Sequence, residues 1–485
     1  MKKSTLCIAA TAALVLSVLP FTACNGKSSS QTKSSKYEIA ATYDADKGVL
    51  SGFEEFTYYN STDNEIAALE FNLWGNAYRE GATCKPISEA QKSAYYVGAS
   101  YGTMDVEKVE NCAGWEVCGE DMTILSVTLN TPIYPEQSVK IGITYSLTLA
   151  KVNHRTGITS KTVNLGNFYP VLCAYGVEGF VDTPYYSCGD PFVSDCADYE
   201  VSLTLPENYL AATSGKLVST SSADGKVTNK YSLSRARDFA AVLSSGYKSV
   251  SKSVNGCEVT AYYCGDTAPE KAIDAACDSF EYFSDKFGAY PYPTYTIAFT
   301  PLSVSGMEYP ALVMVNDSLE EADGVYTAVH ETAHQWWYAV VGNDQVNCAF
   351  MDEGLAEYSS LCYFEAHPEH GFTRTGLLGS AIKSYRAYYS VYNQIFGKTD
   401  TSMDRSLKEF AGDYEYINVA YNKSLLMFEN LRTSMGDKKF FAALSEYYSC
   451  NKFKIASKEE LISRFSSRHD VEGLIDGYIE GKVVI

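Results

Sequence analysis

The hydrophobic pattern of this chain changes near residue 250, and that change constrains the fold more than any other feature. Before it, apolar residues occupy every second position in runs such as Val139–Leu149. This alternation is typical of strands with one buried face. After it, apolar residues recur at helical spacing, as in Ala272–Phe287. The sequence therefore predicts an α+β multidomain protein, with an antiparallel β domain at residues 37–250 and a largely helical domain at residues 251–485.

A long helix is predicted inside the second domain. Ser318 and Glu321 have the spacing of a capping box, so we expect the helix to begin between Ser318 and Val325 and to continue to about Val341. It carries His330 and His334, four positions apart. Because a helix turns about 100° per residue, the two imidazoles lie about 40° apart on one face and can bind one ion.

A third metal ligand is predicted at Glu353, eighteen residues after His334. The segment between them contains a turn at Gly342 and the start of another helix near Asp352, which is enough chain to bring a carboxylate back. Two histidines and one glutamate leave the fourth position of a catalytic zinc ion open. We therefore expect one Zn²⁺ per chain. Glu331 lies beside this face and is the predicted general base toward water.

Around these residues the sequence resembles the aminopeptidase N family of gluzincin zinc metallopeptidases. The similarity is concentrated in His330–Trp337 and Asp352–Ala356. It also includes Tyr290–Pro293, Ser305–Pro310 and, in the first half, Gly189–Phe192, so that it spans most of the chain. The resemblance implies a thermolysin-like catalytic domain at residues 251–485 that hydrolyses peptides.

The resemblance also implies a substrate-binding segment at Gly306, Met307 and Glu308. In the family, the glutamate of this edge strand contacts the free α-amino group of the substrate. Ser305 and Tyr309 replace the first glycine and the asparagine of the family pattern. A carboxylate at Glu308 would select for removal of the first residue of a peptide.

A donor to the oxyanion is implied at Tyr421, in the run Tyr421–Ser424, where Ser424 replaces the glycine of the family. Such a donor contributes a few kcal/mol to catalysis. Tyr414 and Tyr416 on the preceding segment are alternative donors. Glu357, one helical turn after Glu353, either orients a ligand histidine or faces solvent.

The net charge of the chain restricts the classes of molecule that it can bind. The formal net charge of -20 argues against nucleic acid as a partner and is compatible with a substrate that carries a free ammonium group.

Two pairs among the fourteen cysteines, Cys112 with Cys118 and Cys257 with Cys264, are close enough in sequence to form small disulfide loops. Buried free thiols are the alternative.

The first residues predict export. Residues 1–23 combine a basic start with a short apolar run, as a signal peptide does. Phe21–Cys24 resembles a bacterial lipobox, so a lipid on Cys24 is expected to anchor the chain to the outer face of the cell membrane; ordinary secretion is the alternative. Residues 24–36 are rich in serine, threonine and lysine and fit a flexible tether.

These features predict an exported zinc aminopeptidase that acts on peptides with a free N-terminus. Two alternatives remain: a peptide-binding lipoprotein without catalysis, and a gluzincin endopeptidase. Glu331 and Tyr421 favour an enzyme over a binding protein, and Glu308 favours an aminopeptidase over an endopeptidase. The sequence leaves the oligomeric state and the preferred first residue open.

Overall fold

The described part of the chain begins just before the first strand. A computed structural model describes residues 33–177 and 179–485. The predicted signal peptide, Cys24 and most of the predicted tether lie outside these residues. Within them, no helix is both long enough and apolar enough to cross a bilayer.

Strands fill the first half of the chain. In chain order they are β1 (Lys36–Asp44), β2 (Val49–Tyr59), β3 (Ile66–Asn72), β4 (Thr103–Glu110), β5 (Cys112–Cys118), β6 (Ile124–Ile133), β7 (Ser138–Thr148), β8 (Thr156–Ile158), β9 (Val163–Leu165), β10 (Val171–Leu172), β11 (Tyr175–Gly176), β12 (Gly179–Phe180), β13 (Ala197–Pro206), β14 (Leu210–Thr213), β15 (Lys216–Ala223), β16 (Lys226–Ala236) and β17 (Ala241–Ser244). Every second residue is buried along β1, β2 and β13, as the sequence pattern predicts.

Two larger sheets pack face to face in this half. One has the order β15-β16-β13-β1-β2-β7-β4 and the other β10-β3-β6-β5. Phe56 of β2 meets Phe71 of β3, with ring centroids 5.4 Å apart, so the core lies between the sheets. Pairing is antiparallel except between β1 and β13, which run parallel and stack Tyr37 on Tyr199 at 4.8 Å. The predicted β domain is therefore confirmed, with one parallel pair added.

Helices dominate the second half, around one more sheet. Its strands are β18 (Tyr247–Val254), β19 (Cys257–Cys264), β20 (Thr294–Thr300), β21 (Gly306–Met307) and β22 (Leu312–Asn316), in the order β18-β19-β20-β22-β21. The α-helices are α1 (Glu270–Phe287), α2 (Glu321–Ala333), α3 (Phe350–Ala366), α4 (Arg374–Phe396), α5 (Asp413–Tyr416), α6 (Ser424–Met435), α7 (Asp437–Asn451), α8 (Lys458–Ser466) and α9 (Glu472–Ile479). A π-helical turn, Ile417–Lys423, joins α5 to α6.

The sheet of the second half is covered on both faces at its centre. β20 runs parallel to β19 and β22, and its residues from Tyr295 to Thr300 are all buried. From α1, Phe280 contacts both Tyr295 and Trp336, each at 5.6 Å between ring centroids. β21 pairs only with β22, which leaves it at the edge of the sheet. This edge is where the predicted substrate-binding segment lies.

The long helix is shorter than the sequence predicts. α2 ends at Ala333 rather than near Val341, and its start lacks a side-chain cap because Ser318 bonds Asn316 instead. The ring Nδ1 of His334 lies 3.0 Å from the carbonyl oxygen of Trp337, which turns that carbonyl out of the helical direction. Tyr338 then adopts a φ of 125°, which no helix accommodates.

Neither cysteine pair suggested by the sequence can form a disulfide. Cys112 and Cys118 are the two ends of β5, and Cys257 and Cys264 are the two ends of β19. Six or seven residues of strand separate the members of each pair by roughly 20 Å, whereas a disulfide needs Cα atoms within about 7 Å. The described cysteines are free thiols.

The predicted boundary between residues 250 and 251 stays a prediction. Residues 34–485 form one compact unit. β18 spans the proposed boundary and pairs along its whole length with β19. A capping box formed by Ser457 and Glu460 is present at the start of α8.

Candidate active site

Three side chains from two helices converge on one point. His330 and the C-cap residue His334 come from α2, and Glu353 comes from α3. The two Nε2 atoms are 3.1 Å apart, and Glu353 Oε2 lies 3.4 and 3.3 Å from them. Ligands about 2.0–2.1 Å from a tetrahedral zinc ion are separated by about 3.3 Å, so the triangle has the size that zinc requires.

Both imidazoles are held with Nε2 toward this point. The Nδ1 atom of His334 contacts the carbonyl oxygen of Trp337, and the Nδ1 atom of His330 lies 3.1 Å from Glu357 Oε2. Tyr326 in turn donates a 2.6 Å hydrogen bond to Glu357 Oε1. Of the two roles that the sequence leaves open for Glu357, the structure favours contact with a ligand histidine. Such contacts fix the tautomer and raise the basicity of a ligand.

The charges in the triangle fit a cation. Glu353 Oε2 is buried without a hydrogen-bond donor in the described part of the chain. Burial tends to raise the pKa of Glu353, but His330 and His334 outweigh it and hold that pKa well below its usual range. Burial tends to lower the pKa of His330, but Glu353 and Glu357 raise it to about 10. The three residues thus present an anionic carboxylate and two basic nitrogens, the donor set that suits zinc.

Glu331 lies beside the triangle without belonging to it. Burial raises its pKa to about 7, so the carboxyl group can both accept and release a proton near neutral pH. Its side chain packs directly against Gly306, because a Cβ atom built on Gly306 would overlap Glu331 Oε1. The glycine on the edge strand therefore provides the space that Glu331 occupies.

The edge strand also brings Glu308 to the site. One carboxylate oxygen each of Glu308 and Glu331 and a ring nitrogen of His334 all lie within 4.8 Å of one another. Gln345 donates a 3.1 Å hydrogen bond to Glu308 Oε1. Burial, with a contribution from Asp190, raises the pKa of Glu308 well above its usual value.

Met307 is a predicted substrate-binding residue that the structure does not bring to the cavity. Its side chain is buried in the core, whereas Gly306 and Glu308 line a cavity of about 440 Å³. Successive residues of a strand point to opposite faces, which explains why Met307 turns away between two cavity residues. Its predicted contact with substrate is not supported.

Tyr421 and Tyr416 both line the cavity, and Tyr414 does not. The ring of Tyr421 stacks on His330 with centroids 5.9 Å apart, and Tyr416 lies 5.7 Å from Tyr421. Tyr414 is half-exposed and packs on Tyr392. Tyr421 stands on the π-helical turn, a conformation that is rare and frequent at functional sites.

The comparisons with known proteins agree with this geometry. Residues 271–478 match the model of the peptidase family M1 domain. The chain carries an M1 zinc metallopeptidase domain. The match agrees with the family that the sequence resemblance indicated, and an M1 zinc metallopeptidase domain implies one catalytic zinc ion, which His330, His334 and Glu353 fit.

Known proteins of two kinds are similar to the chain, mammalian aminopeptidases in sequence and a bacterial metallopeptidase in structure. Human endoplasmic reticulum aminopeptidase 1 is 23% identical over 445 residues, which cover 84% of this chain but 45% of the human protein; the rat protein is 28% identical over 193 residues. The M1 zinc metallopeptidase of Deinococcus radiodurans has the same fold, with a TM-score of 0.66 at 18% identity over 93% of this chain and 95% of that one. A variant of that enzyme was solved with a Tyr-Ser-Ala substrate, and its fold matches with a TM-score of 0.64 at 19% identity over 93% of this chain and 96% of that one.

The cavity of the M1 domain also contains residues from the β half that sequence reasoning gave no role. Arg155 forms a buried ion pair with Asp190, and both line the cavity. Burial raises the pKa of Asp190, and Arg155 opposes that rise. His154, which lacks ligand spacing in the sequence, also lines the cavity. The only sequence signal for this group was the resemblance at Gly189–Phe192.

Proposed function

We propose that this chain is a zinc aminopeptidase that removes the first residue from peptides outside the cytoplasm. The observation that carries the proposal is the separation of at most 4.8 Å between Glu308 and the atoms of His334 and Glu331. A charge-assisted hydrogen bond from a carboxylate to an α-ammonium nitrogen is about 2.8 Å long, and that nitrogen lies roughly 2.5 Å from the carbonyl carbon of its own residue. Together these two steps span a similar distance, from Glu308 to the carbon that is attacked. An ammonium group on Glu308 therefore puts the first peptide bond beside the metal ligands.

The roles of the side chains follow from this position. Glu308 binds the α-ammonium group and fixes which bond is presented. Glu331 takes a proton from the attacking water and gives it to the nitrogen of the leaving peptide, for which a pKa near 7 is suitable. The hydroxyl group of Tyr421 donates a hydrogen bond to the carbonyl oxygen of the substrate, which becomes negative during the reaction. A zinc ion held by the three ligands supplies a Lewis acid that makes water nucleophilic near neutral pH.

Two further findings support a cationic N-terminus as the bound group. One cavity is lined by the carboxyl groups of Glu308, Asp190 and Glu331. Arg155 is the arginine in that lining whose positive charge partly balances them. Removing several carboxylates from water is unfavourable unless a cation joins them. In addition, two of the relatives above are named for aminopeptidase activity or carry a bound tripeptide substrate.

Mapping the products of one peptide tests the proposal. Wild-type enzyme loaded with zinc should shorten an unblocked peptide of about ten residues one residue at a time from its N-terminus, as followed by mass spectrometry. The N-acetylated copy should stay intact over the same period, and a strong chelator should stop the reaction. Internal cleavage of both copies at equal rates would contradict the proposal.

We further propose that a lipid on Cys24 anchors the protein to the outer face of the cell membrane. The support is the sequence alone: the apolar run before Phe21–Cys24 and the polar segment after it. Cys24→Ala should move the protein from the membrane fraction to the soluble exported fraction. An unchanged membrane fraction would contradict lipid anchoring.

A further inference from the structure

An exposed apolar ridge leads away from the mouth of the cavity. It consists of Val391, Ile395 and Phe396 at the end of α4, with Tyr414 and Ile417 from α5 and the π-helical turn. Their exposed fractions are 43%, 65%, 65%, 48% and 48%. These values are high for side chains of this size. A contiguous exposed apolar surface of this kind marks an interaction site more often than isolated apolar residues do.

The ridge is continuous with the cavity. Ile417 is exposed and also lines the cavity, so it stands at the mouth. Tyr414 precedes it by one helical turn and packs on Tyr392 with ring centroids 6.3 Å apart. Tyr392 in turn packs on Phe396 at 5.3 Å. A series of apolar residues, Ile417, Tyr414, Tyr392 and Phe396, therefore connects the mouth of the cavity to the end of α4.

Burial within the described chain does not account for the apolar residues at the end of α4. Of its 23 residues, only Ala381, Tyr385 and Tyr388 are buried, and all three precede the exposed stretch. The helix ends at Gly397, which adopts a φ of 74°. Packing within the described chain thus explains the middle of α4 but not the exposure of Ile395 and Phe396.

The direction of a bound peptide points to this surface. Glu308 lies near His334, whereas Tyr421 stacks on His330, the other histidine of the ligand triangle. Ile417 is one turn before Tyr421. A peptide whose ammonium group is on Glu308 and whose first carbonyl is at the ligands can therefore continue past Tyr421 toward Ile417, which stands at the mouth.

We propose that the ridge binds the downstream part of the peptide substrate and selects peptides with apolar side chains there. This inference rests on the proposed aminopeptidase function. With about 5–6 Å for a helical i,i+3 step, the ridge is roughly 15–20 Å long. An extended peptide covers at most about 3.3–3.6 Å per residue, so the far end accommodates side chains roughly five to seven positions beyond the cleaved bond.

A pair of matched peptides tests the inference. Both have about twelve residues and the same first residues; one has leucine and phenylalanine roughly five to seven positions beyond the first bond, and the other has serine there. Wild type should cleave the apolar peptide with about tenfold higher kcat/KM, which corresponds to about 1.4 kcal/mol. The difference should reside mainly in KM, because the contact is the same before and during the reaction.

The variant Ile395→Ser/Phe396→Ser should remove this preference while its rate on a one-residue aminoacyl reporter stays at the wild-type value. Leu217→Ser/Val218→Ser is the matched control, because it removes another exposed apolar pair, from β15, and should keep the preference. Ile395→Ser alone should lose part of the preference.

Two results would overturn the inference and leave the aminopeptidase proposal standing. In the first, wild type cleaves the reporter and both peptides, but with equal kcat/KM for the two peptides. In the second, wild type sediments as a dimer that the α4 double variant dissociates without changing peptide preference, so that a second copy of the chain covers the ridge. Failure of wild type to cleave even the reporter would instead count against the proposed function.

Discussion

Glu331 contributes a carboxylate to the site without being a metal ligand, so its chemistry can be separated from metal binding. Burial raises its pKa to about 7, and one of its oxygens is buried without a partner in the described residues. Glu331→Gln keeps the shape but cannot accept a proton. Turnover should fall by roughly a hundredfold or more, while bound zinc stays near one ion per chain by elemental analysis. Wild-type turnover in this variant would assign the base to another group.

Gly306 tests how closely the edge strand approaches that base. A methyl group at Gly306 would overlap Glu331 Oε1, so Gly306→Ala should displace the carboxylate and lower kcat by about ten- to a hundredfold. The far-ultraviolet circular dichroism spectrum and the zinc content should not change. The control is Gly324→Ala on α2, where a methyl group would meet no atom within 4 Å. Equal activity of the two variants would contradict this account.

At the scale of single residues, the sequence predicts best what depends on local spacing. His330 and His334 share a helical face because of the period of the helix, and Glu353 returns to them through one turn. Asp190 and Gln345 could not be found in this way. Asp190 lines the cavity and Gln345 contacts Glu308 because distant segments pack together, and nothing near them in sequence encodes those contacts.

At the scale of elements, helix existence was predictable and helix ends were not. The apolar stripe of α1 and the capping box of α8 depend on neighbours within one helix. The end of α2 depends on the contact between the His334 ring and the Trp337 carbonyl, and on the Trp337 indole, which donates a 2.9 Å hydrogen bond to Ser359 of α3. One local and one tertiary contact thus override a helical pattern that extends to Val341.

Lys423 illustrates a structural role inside a motif that looks catalytic. Its buried Nζ atom donates to the carbonyl oxygens of Thr401 and Tyr478, and so connects the π-helical turn to the loop after α4 and to α9. Burial lowers its pKa to about 7. Lys423→Met removes the donor from both carbonyls and should lower the free energy of unfolding by about 2–4 kcal/mol.

Urea unfolding of the full chain measures this effect, with the exposed Lys439→Met as the control. The control should stay within about 0.5 kcal/mol of wild type. A Lys423→Met protein as stable as the control, with lower activity, would mean that Lys423 acts in catalysis rather than in holding the turn.

At the scale of the whole molecule, the fold class follows from the change in hydrophobic period, and the M1 domain follows from the ligand spacing. The composition of the cavity does not follow from either. Arg155 and Asp190 of the β half line the same cavity as Glu308 and Glu331. Which surface of one half meets the other depends on packing of distant segments, which a single sequence does not display.

We propose that Glu308 selects the free N-terminus, and the ratio of two kinetic losses measures that selection. The kcat/KM of Glu308→Ala should be measured on an unblocked peptide and on its N-acetylated copy. Loss of a charge-assisted hydrogen bond of about 1.5–3 kcal/mol should lower the value for the unblocked peptide about ten- to a hundredfold. The slow cleavage of the acetylated copy should be almost unchanged, since that peptide never makes the contact. Equal losses on both peptides, or no loss on either, would contradict the claim.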